Sequence, residues 1–511
     1  MSAVTAIGRI DEAIGAGLDR VFAPAANPWR HLGSLAFLFF VVCIASGLYL
    51  YAVFDTSLAG AYESGRALDR TPLGRLIRGL HRYSADAFAV LTALHLVREA
   101  ARGHFRAHRA WSWLSGLVLV PLAWVAGITG FWLAWDERAL FSAVATAEWL
   151  AAWPWQVALF ARNFASGEAM NDRFFSLVVF IHIGVPLFAL AATWAHFLRL
   201  AHVRAWPPAA VGVPSTLAIT MLALAHPASS LGPADALAAP ASLSIDWFYL
   251  FPHALLVPLS PEGLWAALLA SAAVLGAMPW MGRRARPAPV VVDLANCNGC
   301  ARCAADCPFG AVVMVPRTDH RHHPRQAHVL PDLCASCGIC SGACPSSTPF
   351  RRRVPLASGI DLPQRTVATL RDELDRALEA GASPVMVFAC APGGAGDGAI
   401  AVECAAMVPP AFVQYALRHG ARGVVIAGCR EGDCEHRLGD RWIGERFAGR
   451  RAPALRESVP RERVRVVFCG SDRSLLDRAI GEIGEMGNEK QENADSADAP
   501  PIAADKTMRV E

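Results

Sequence analysis

Three runs in the first half of the chain carry no Asp, Glu, Lys or Arg at all. They are HLGSLAFLFFVVCIASGLYLYAVF (31–54), WSWLSGLVLVPLAWVAGITGFWLAW (111–135) and FFSLVVFIHIGVPLFALAATWAHFL (174–198). In hydrocarbon a backbone must satisfy its own polar groups, and a helix of about 20 apolar residues both does so and spans a bilayer. The segment 76–98 carries Arg82 and Asp86 yet has the length to span, and 207–226 and 262–281 are weaker candidates, so six spans are expected. Hydrophobic residues make up 54% of the 511 and charged ones 18%, but the apolar excess ends near residue 280. Ordinary soluble composition follows, and the length alone suggests about two to four units. A net charge of +3 is too small to point to nucleic acid. Residues 1–30 are mixed and lack the short apolar core of a cleavable leader.

Arginine in the connections sets the expected orientation. Arg98, Arg102, Arg106 and Arg109 lie between the second and third spans, LRLAHVRAW follows the fourth, and MGRRARP follows the sixth. These, with Arg9, Arg20 and Arg30, are expected on the cytoplasmic side, and the loops 55–75 and 136–173 on the outer side. Both termini are then cytoplasmic. All cysteines but Cys43 lie from residue 297 onward, in a reducing compartment where metal binding is commoner than disulfides.

Histidine is costly in a bilayer, yet His81 and His95 share one span and His182 and His196 another, each pair fourteen residues apart. Fourteen helical steps return to within about 40° of the same face, about 21 Å further on. The two spans run in the same direction, so His81 lies level with His182 and His95 with His196. Each level pair has the means to ligate one haem iron from both sides. A single histidine is equally read as a core residue bonded to a carbonyl; four at matched depth favour ligation, since intramembrane ionisable groups are mostly functional. Gly33 and Gly47, and Gly116 and Gly130, repeat the interval and are expected to let a flat haem approach the backbone, against ordinary small-residue packing. Arg78 and Arg98, three residues from His81 and His95, are candidates for haem propionates or for plain interfacial anchors.

The stretches RGLHRYSADAFAVLTALHLVR, GITGFWLAWDE and HIGVPLFALAATWAHFLR resemble cytochrome b of the bc and b6f complexes. GPADALAAPASLSIDWFYLF is similar to that family's quinol-oxidation loop. The resemblance runs from about 28 to 281. It implies a low-potential haem b at His81/His182 near the outside and a higher-potential one at His95/His196 near the cytoplasm. Asp246 stands where the family has a proton-accepting glutamate, so outer-site quinone chemistry would fall to a shorter carboxylate. Six spans leave the family's last two helices without a counterpart. At the inner quinone site Ser34 and His202 are similar to family residues, or are simply polar groups at loop ends.

CNGCARCAADCP (297–308) and CASCGICSGACP (334–345) both read C-x2-C-x2-C-x3-C-P, the two-cluster ferredoxin spacing in which each fourth cysteine serves the other cluster. One [4Fe–4S] set is then Cys297, Cys300, Cys303 and Cys344, the other Cys334, Cys337, Cys340 and Cys307. Zinc sites use paired C-x2-C instead. The intervening TDHRHHPRQAH reads as a solvated loop. Beyond residue 360, the strands PVMVFAC, GARGVVIAGC and RVRVVFC alternate with helices at 364–380 and 410–419 in an α/β pattern. GARGVVIAGCREGDCEHRLGDRWIGERF resembles the delta subunit of methyl-viologen-reducing hydrogenase, which implies a [2Fe–2S] cluster on Cys390, Cys404, Cys429 and Cys434. The alternative is a lost cluster that leaves buried thiols. Cys469 is left over. Residues 486–511 read as a disordered tail.

The expected fold is multidomain: an all-α transmembrane helical bundle, a small α+β ferredoxin domain and an α/β C-terminal domain. Its parts are a cytoplasmic segment (1–30), a four-helix dihaem core (31–203), a quinone-site loop with two further membrane helices (204–284), the ferredoxin domain (285–355), the [2Fe–2S] domain (360–485) and the tail. No phosphate-cradling loop or nucleophile triad is present. The order implies an oxidoreductase subunit of an inner, cytoplasmic membrane that links membrane quinone to a cytoplasmic redox partner. That partner would be of heterodisulfide-reductase, hydrogenase or formate dehydrogenase type. A homodimer through the cytochrome b half is expected as an option. The alternatives are a haem-containing membrane anchor without its own quinone chemistry, and a core subunit of a bc-type complex.

Overall fold

Caps and prolines set the helix boundaries of the apolar half. After α1 (Ala3–Leu18) come α2 (Leu32–Val53), α3 (Ala61–Asp69) and α4 (Pro72–Ala101). Thr71 starts α4: its hydroxyl accepts from Gly74 N at 3.0 Å and Pro72 presets the first turn. α5 (Ala110–Leu133), α6 (Glu137–Ala151) and α7 (Asp172–Phe197) follow. Asn171 caps α7, accepting from Arg173 N and Phe174 N at 3.0 and 3.3 Å. The unit closes with α8 (Ala209–Ala225) and α9 (Phe251–Ala277).

This computed structural model describes residues 3–153, 171–198, 200–235, 242–281, 287–319, 321–352, 356–381, 384–394, 396, 398–470 and 472–497. Part of the outer loop (154–170), part of the quinol-loop resemblance (236–241), the basic residues 282–286, His320 and residues 498–511 lie outside them. The chain divides into two units, Met1–Ala285 and Arg286–Glu511.

In the first unit, α2 packs on α4 and α5 on α7. Gly33 faces His95 and Gly47 faces His81, so α2 and α4 run antiparallel. Gly116 faces His196 and Gly130 faces His182, so α5 and α7 are antiparallel too. Among the described residues four helices are long and apolar enough to cross a membrane: Pro28–Val53, Ala107–Leu133, Asp172–Phe197 and Phe251–Trp280. Six spans were expected, and the difference has two causes. α4 has 30 residues, but its arginines, Asp86 and Glu99 lower its apolarity. α8 has only 17 residues. The span expected at 262–281 begins eleven residues earlier, at Phe251, and bends at Ser260, whose backbone is left-handed (φ 57°) between Pro258 and Pro261.

The second unit holds two antiparallel pairs and a parallel sheet. β1 (Val291–Val292) pairs with β4 (Ile360–Asp361), and β2 (Val312–Pro316) with β3 (Arg325–Val329). Each cysteine run leads into a short helix, α10 (Arg302–Asp306) or α11 (Ile339–Ala343). The runs share one backbone device. Gly299 and Ser336, just before the second cysteine, and Ala301 and Gly338, just after it, all have φ between 52° and 71°. Those left-handed turns aim three closely spaced sulfurs inward.

After α12 (Val367–Glu379), strands β5 (Val385–Cys390), β6 (Ile400–Val402), β7 (Gly423–Ala427) and β8 (Val464–Val467) form a parallel sheet in the order β6-β5-β7-β8. Phe388 pairs with both Ile400 and Ile426, and Ile426 with Val466. The three strands expected from sequence are β5, β7 and β8; β6 is an addition, too short to show a pattern. The remaining helices are α13 (Pro410–Arg418), α14 (Gly439–Phe447) and α15 (Arg473–Ala497). α15 runs on to Ala497, into the first part of the segment expected as a tail, since an acidic, Ala-containing composition is compatible with helix.

Candidate functional site

Three of the four intramembrane histidines sit in a repeated setting. His81 Nδ1 lies 2.9 Å from the Cys43 carbonyl and 3.2 Å from Ser46 Oγ. His182 Nδ1 lies 2.9 Å from the Ala126 carbonyl and 3.3 Å from Thr129 Oγ1. His196 Nδ1 lies 3.0 Å from Ser115 Oγ and bonds the backbone of Ser112. A carbonyl only accepts, so Nδ1 carries the proton in His81 and His182, and Nε2 is left with the lone pair that binds metal. The His95 ring instead has Glu99 Oε1 3.9 Å from its Nδ1.

The glycines face these rings. A Cβ on Gly47 would stand 2.9 Å from His81 Cε1, on Gly130 2.8 Å from His182 Cε1, and on Gly33 or Gly116 3.2 Å from the His95 or His196 ring. Each missing side chain makes room for an imidazole, which lies between antiparallel helices. At three of the four sites the residue before the glycine is the hydroxyl that meets Nδ1: Ser46-Gly47, Thr129-Gly130, Ser115-Gly116.

The rings of His81 and His182 are 6.2 Å apart, centre to centre. Metal–nitrogen bonds of about 2 Å place two imidazoles on opposite sides of one ion at about 6 Å between ring centres. At this spacing His81 and His182 would be able to hold one iron between them. His95 and His196 are within electrostatic reach of each other.

The other expected groups of this unit are differently engaged. Arg78 pairs with Asp69 at 2.5 Å and donates to Ser230 Oγ at 2.6 Å; Arg98 pairs with Asp11 at 3.2 Å. Both guanidiniums thus have protein carboxylates where propionates were expected. Asp246 is buried, accepts from Arg82 at 2.6 Å, and takes the N–H groups of Phe248 and Tyr249 at 3.0 and 2.6 Å. Arg82 also pairs with Asp86 and lies over the Phe131 ring. Arg82 and Asp86 were legible only as charges in a span; their link to Asp246 crosses 164 positions. Ser34 Oγ donates to the His31 carbonyl at 3.0 Å, and His202 is exposed on left-handed backbone (φ 53°).

In the second unit the structure sorts the cysteines as the ferredoxin spacing requires. One hollow is lined by Cys297, Cys300, Cys303 and Cys344, another by Cys307, Cys334, Cys337 and Cys340. Among the described residues no group of three or more His, Cys, Asp or Glu is gathered tightly enough for a single metal ion, whereas a cubane needs its four thiolates spread about a cavity. Burial, with Cys344 and Cys300 nearby, pushes the Cys303 thiol up to about 12, and burial holds Cys340 well above its ordinary value. Thiolates there require cationic metal, and this donor set fits iron–sulfur clusters.

Cys390 ends β5 and Cys429 follows β7, the neighbouring strand, with sulfurs 3.9 Å apart. β5 and β7 flank the point where the chain reverses its direction of travel across the sheet, the place where open α/β sheets bind ligands. Cys404 and Cys434 complete the group: a Cβ on Gly439 would lie 2.2 Å from one sulfur and 2.9 Å from the other. All four are buried. The four form one contiguous group, since Cys434 reaches both Cys404 and Cys429. Cys469 is buried elsewhere, its thiol donating to the Gly393 carbonyl at 3.4 Å.

Comparison with known proteins matches three stretches. Residues 18–204 match the cytochrome b/b6/petB family, residues 296–348 the 4Fe-4S dicluster domain, and residues 398–480 the delta subunit of methyl-viologen-reducing hydrogenase. Cytochrome b6 of Prochlorothrix hollandica is 29% identical over 37% of this chain and 86% of its own length. Cytochrome b6 of Euglena gracilis is 27% identical over 35% and 83%. A solved chain described as hyperthermophilic respiratory Complex III is 21% identical, covers 49% of this chain and 74% of that one, and has a TM-score of 0.39. The chain thus joins a membrane cytochrome b/b6 domain, which implies haem b, to a 4Fe-4S dicluster domain, which implies iron–sulfur clusters, and to a hydrogenase-delta-like domain. The last match starts at 398 and leaves out Cys390, which β5 brings beside Cys429.

Proposed function

We propose that this protein is a membrane electron-transfer subunit that links the quinone pool, through two b haems and iron–sulfur clusters, to a cytoplasmic oxidoreductase partner. His81 and His182 would hold the outer haem, His95 and His196 the inner one. The two cysteine-lined cavities would hold [4Fe–4S] clusters and Cys390, Cys404, Cys429 and Cys434 a [2Fe–2S] cluster. These groups supply one-electron redox chemistry. The chain's own residues would orient the imidazoles, bury most of the thiols and space the ligand sets. The observation that carries the reading is the recurring setting of His81, His182 and His196, with Nδ1 beside carbonyl or hydroxyl oxygens and Nε2 left to bind iron. The partner would be of heterodisulfide-reductase, hydrogenase or formate dehydrogenase type, with the soluble modules and both termini on the cytoplasmic face of the inner membrane.

The test is an anaerobic redox titration of the purified chain in detergent, with haem, iron and sulfide counted per chain. Two low-spin haems, cubane and two-iron resonances, and haem reduction by added quinol are expected. Haem without quinol-dependent reduction would leave the second reading, a haem-containing anchor with no quinone chemistry of its own. One observation favours that reading: the Asp246 carboxylate is occupied by Arg82 and two backbone N–H groups.

A further inference from the structure

Arg446, on α14, is completely buried, and its guanidinium reaches three cysteine-bearing segments at once. It pairs with Asp306, itself buried, the residue before Cys307. It donates to the Ala406 carbonyl at 2.7 Å, two residues after Cys404, and to the Ile339 carbonyl at 3.4 Å, next to Cys340. The packing leaves no slack. A Cβ on Gly342 would stand 2.1 Å from the Ala406 carbonyl oxygen and 2.9 Å from Arg446 Nη1, and one on Gly338 2.6 Å from Met407 Sδ. Trp442 Nε1 donates to the Asp306 carbonyl at 3.1 Å. Arg451 closes the rim, bonding Asp306 Oδ1 at 2.7 Å from above the Trp442 ring.

A buried guanidinium is expensive unless it is paired; Nη1 and Nη2 of Arg446 have partners while its Nε has none, and the groups that meet it belong to two different cysteine sets. No hydrogen bond of Arg446 goes to a residue next to Cys297, Cys300, Cys303 or Cys344, which it approaches only through the packing of Gly342, and Cys300 is exposed.

We propose that Arg446 is a positioning residue that holds the cysteines Cys307, Cys334, Cys337 and Cys340 at a fixed separation from Cys390, Cys404, Cys429 and Cys434. The dicluster module is on this account no tethered ferredoxin. Its buried cysteine set is joined rigidly to the α/β domain, and the exposed set around Cys300 is the outlying one. The inference rests on the reading that both joined sets hold iron–sulfur clusters.

The experiment is low-temperature EPR on the reduced full chain in detergent, with iron and sulfide measured in parallel. In the unaltered protein the two-iron resonance should show fast relaxation or splitting from a neighbouring cubane. Cys340→Ser should abolish that interaction and Cys300→Ser should leave it. Arg446→Ala should lose the interaction while iron content is kept, and Arg446→Lys should restore part of it. If Arg446→Ala fails to load iron, Asp306→Asn, which keeps shape and removes the charge, is scored by the same readout. An interaction that persists at full iron content in Arg446→Ala or Asp306→Asn overturns the proposal, as does an interaction lost with Cys300→Ser instead of Cys340→Ser. Absence of any two-iron resonance in the unaltered protein overturns the underlying reading and the proposal with it.

Discussion

Gly47 lies against the imidazole of His81 so closely that a Cβ would stand 2.9 Å from Cε1. The ring cannot retreat, because its Nδ1 is bonded to the Cys43 carbonyl one helical turn earlier on the same helix as Gly47. The same holds for Gly130 and His182, with Ala126 as the anchor.

Gly47→Ala and Gly130→Ala should therefore each displace His81 or His182, at an overpacking cost of about 1–3 kcal/mol. Haem content per chain, read with the reduced spectrum, should fall by one haem alone. Gly33→Ala and Gly116→Ala, with 3.2 Å of approach, should be milder. Equal, full haem loading in all four variants would show that ring and glycine are not coupled.

His182→Ala should remove one haem and spare the other, since His95 and His196 form a separate pair. Asp246→Asn should keep both haems and lower quinol-dependent haem reduction by about a hundredfold or more, the scale of a lost proton acceptor. Stopped-flow reduction with a soluble quinol measures this. If reduction survives both changes at the unaltered rate, the quinone conduit is wrong and the anchor reading takes its place.

The crossed cysteine sets predict which double substitutions combine. Cys300→Ser with Cys344→Ser strikes one cavity twice and should leave one cubane. Cys300→Ser with Cys307→Ser strikes both cavities and should leave none. Iron content and the cubane EPR amplitude distinguish the two, and the opposite ranking would mean that each run serves its own cluster.

Iron loading should be proton-linked. Cys303 is pushed up to about 12 and Cys340 is held well above its ordinary value by burial, so near neutral pH both bind protons until metal replaces them. Anaerobic reconstitution should release protons, and affinity should rise with pH and fall as the solution is acidified. An indicator dye and a pH series read both; affinity independent of pH would show that the thiols are already ionised.

Much of the site is legible along the chain. The fourteen-residue interval of His81 and His95 names one helix face, and the same interval in His182/His196 and in the glycines carries the four-helix arrangement. The Ser46-Gly47, Ser115-Gly116 and Thr129-Gly130 dipeptides held a further clue to the groups behind the imidazoles. β6 was not legible, since three residues are too few for a period to show.

What the sequence determined by itself are relations within one element: helix faces, C-x2-C loops, apolar spans and strands ending in cysteine. Local geometry converts a spacing directly into a direction, so these need no partner. Tertiary structure alone decided the partners across elements. It turned the glycines toward the histidine rings, gave Arg78 and Arg98 to Asp69 and Asp11, closed Arg82 over Asp246, and brought Arg446 to Asp306 from 140 positions away. A buried charge takes whichever opposite charge the packing delivers, and that delivery depends on how helices and sheet meet.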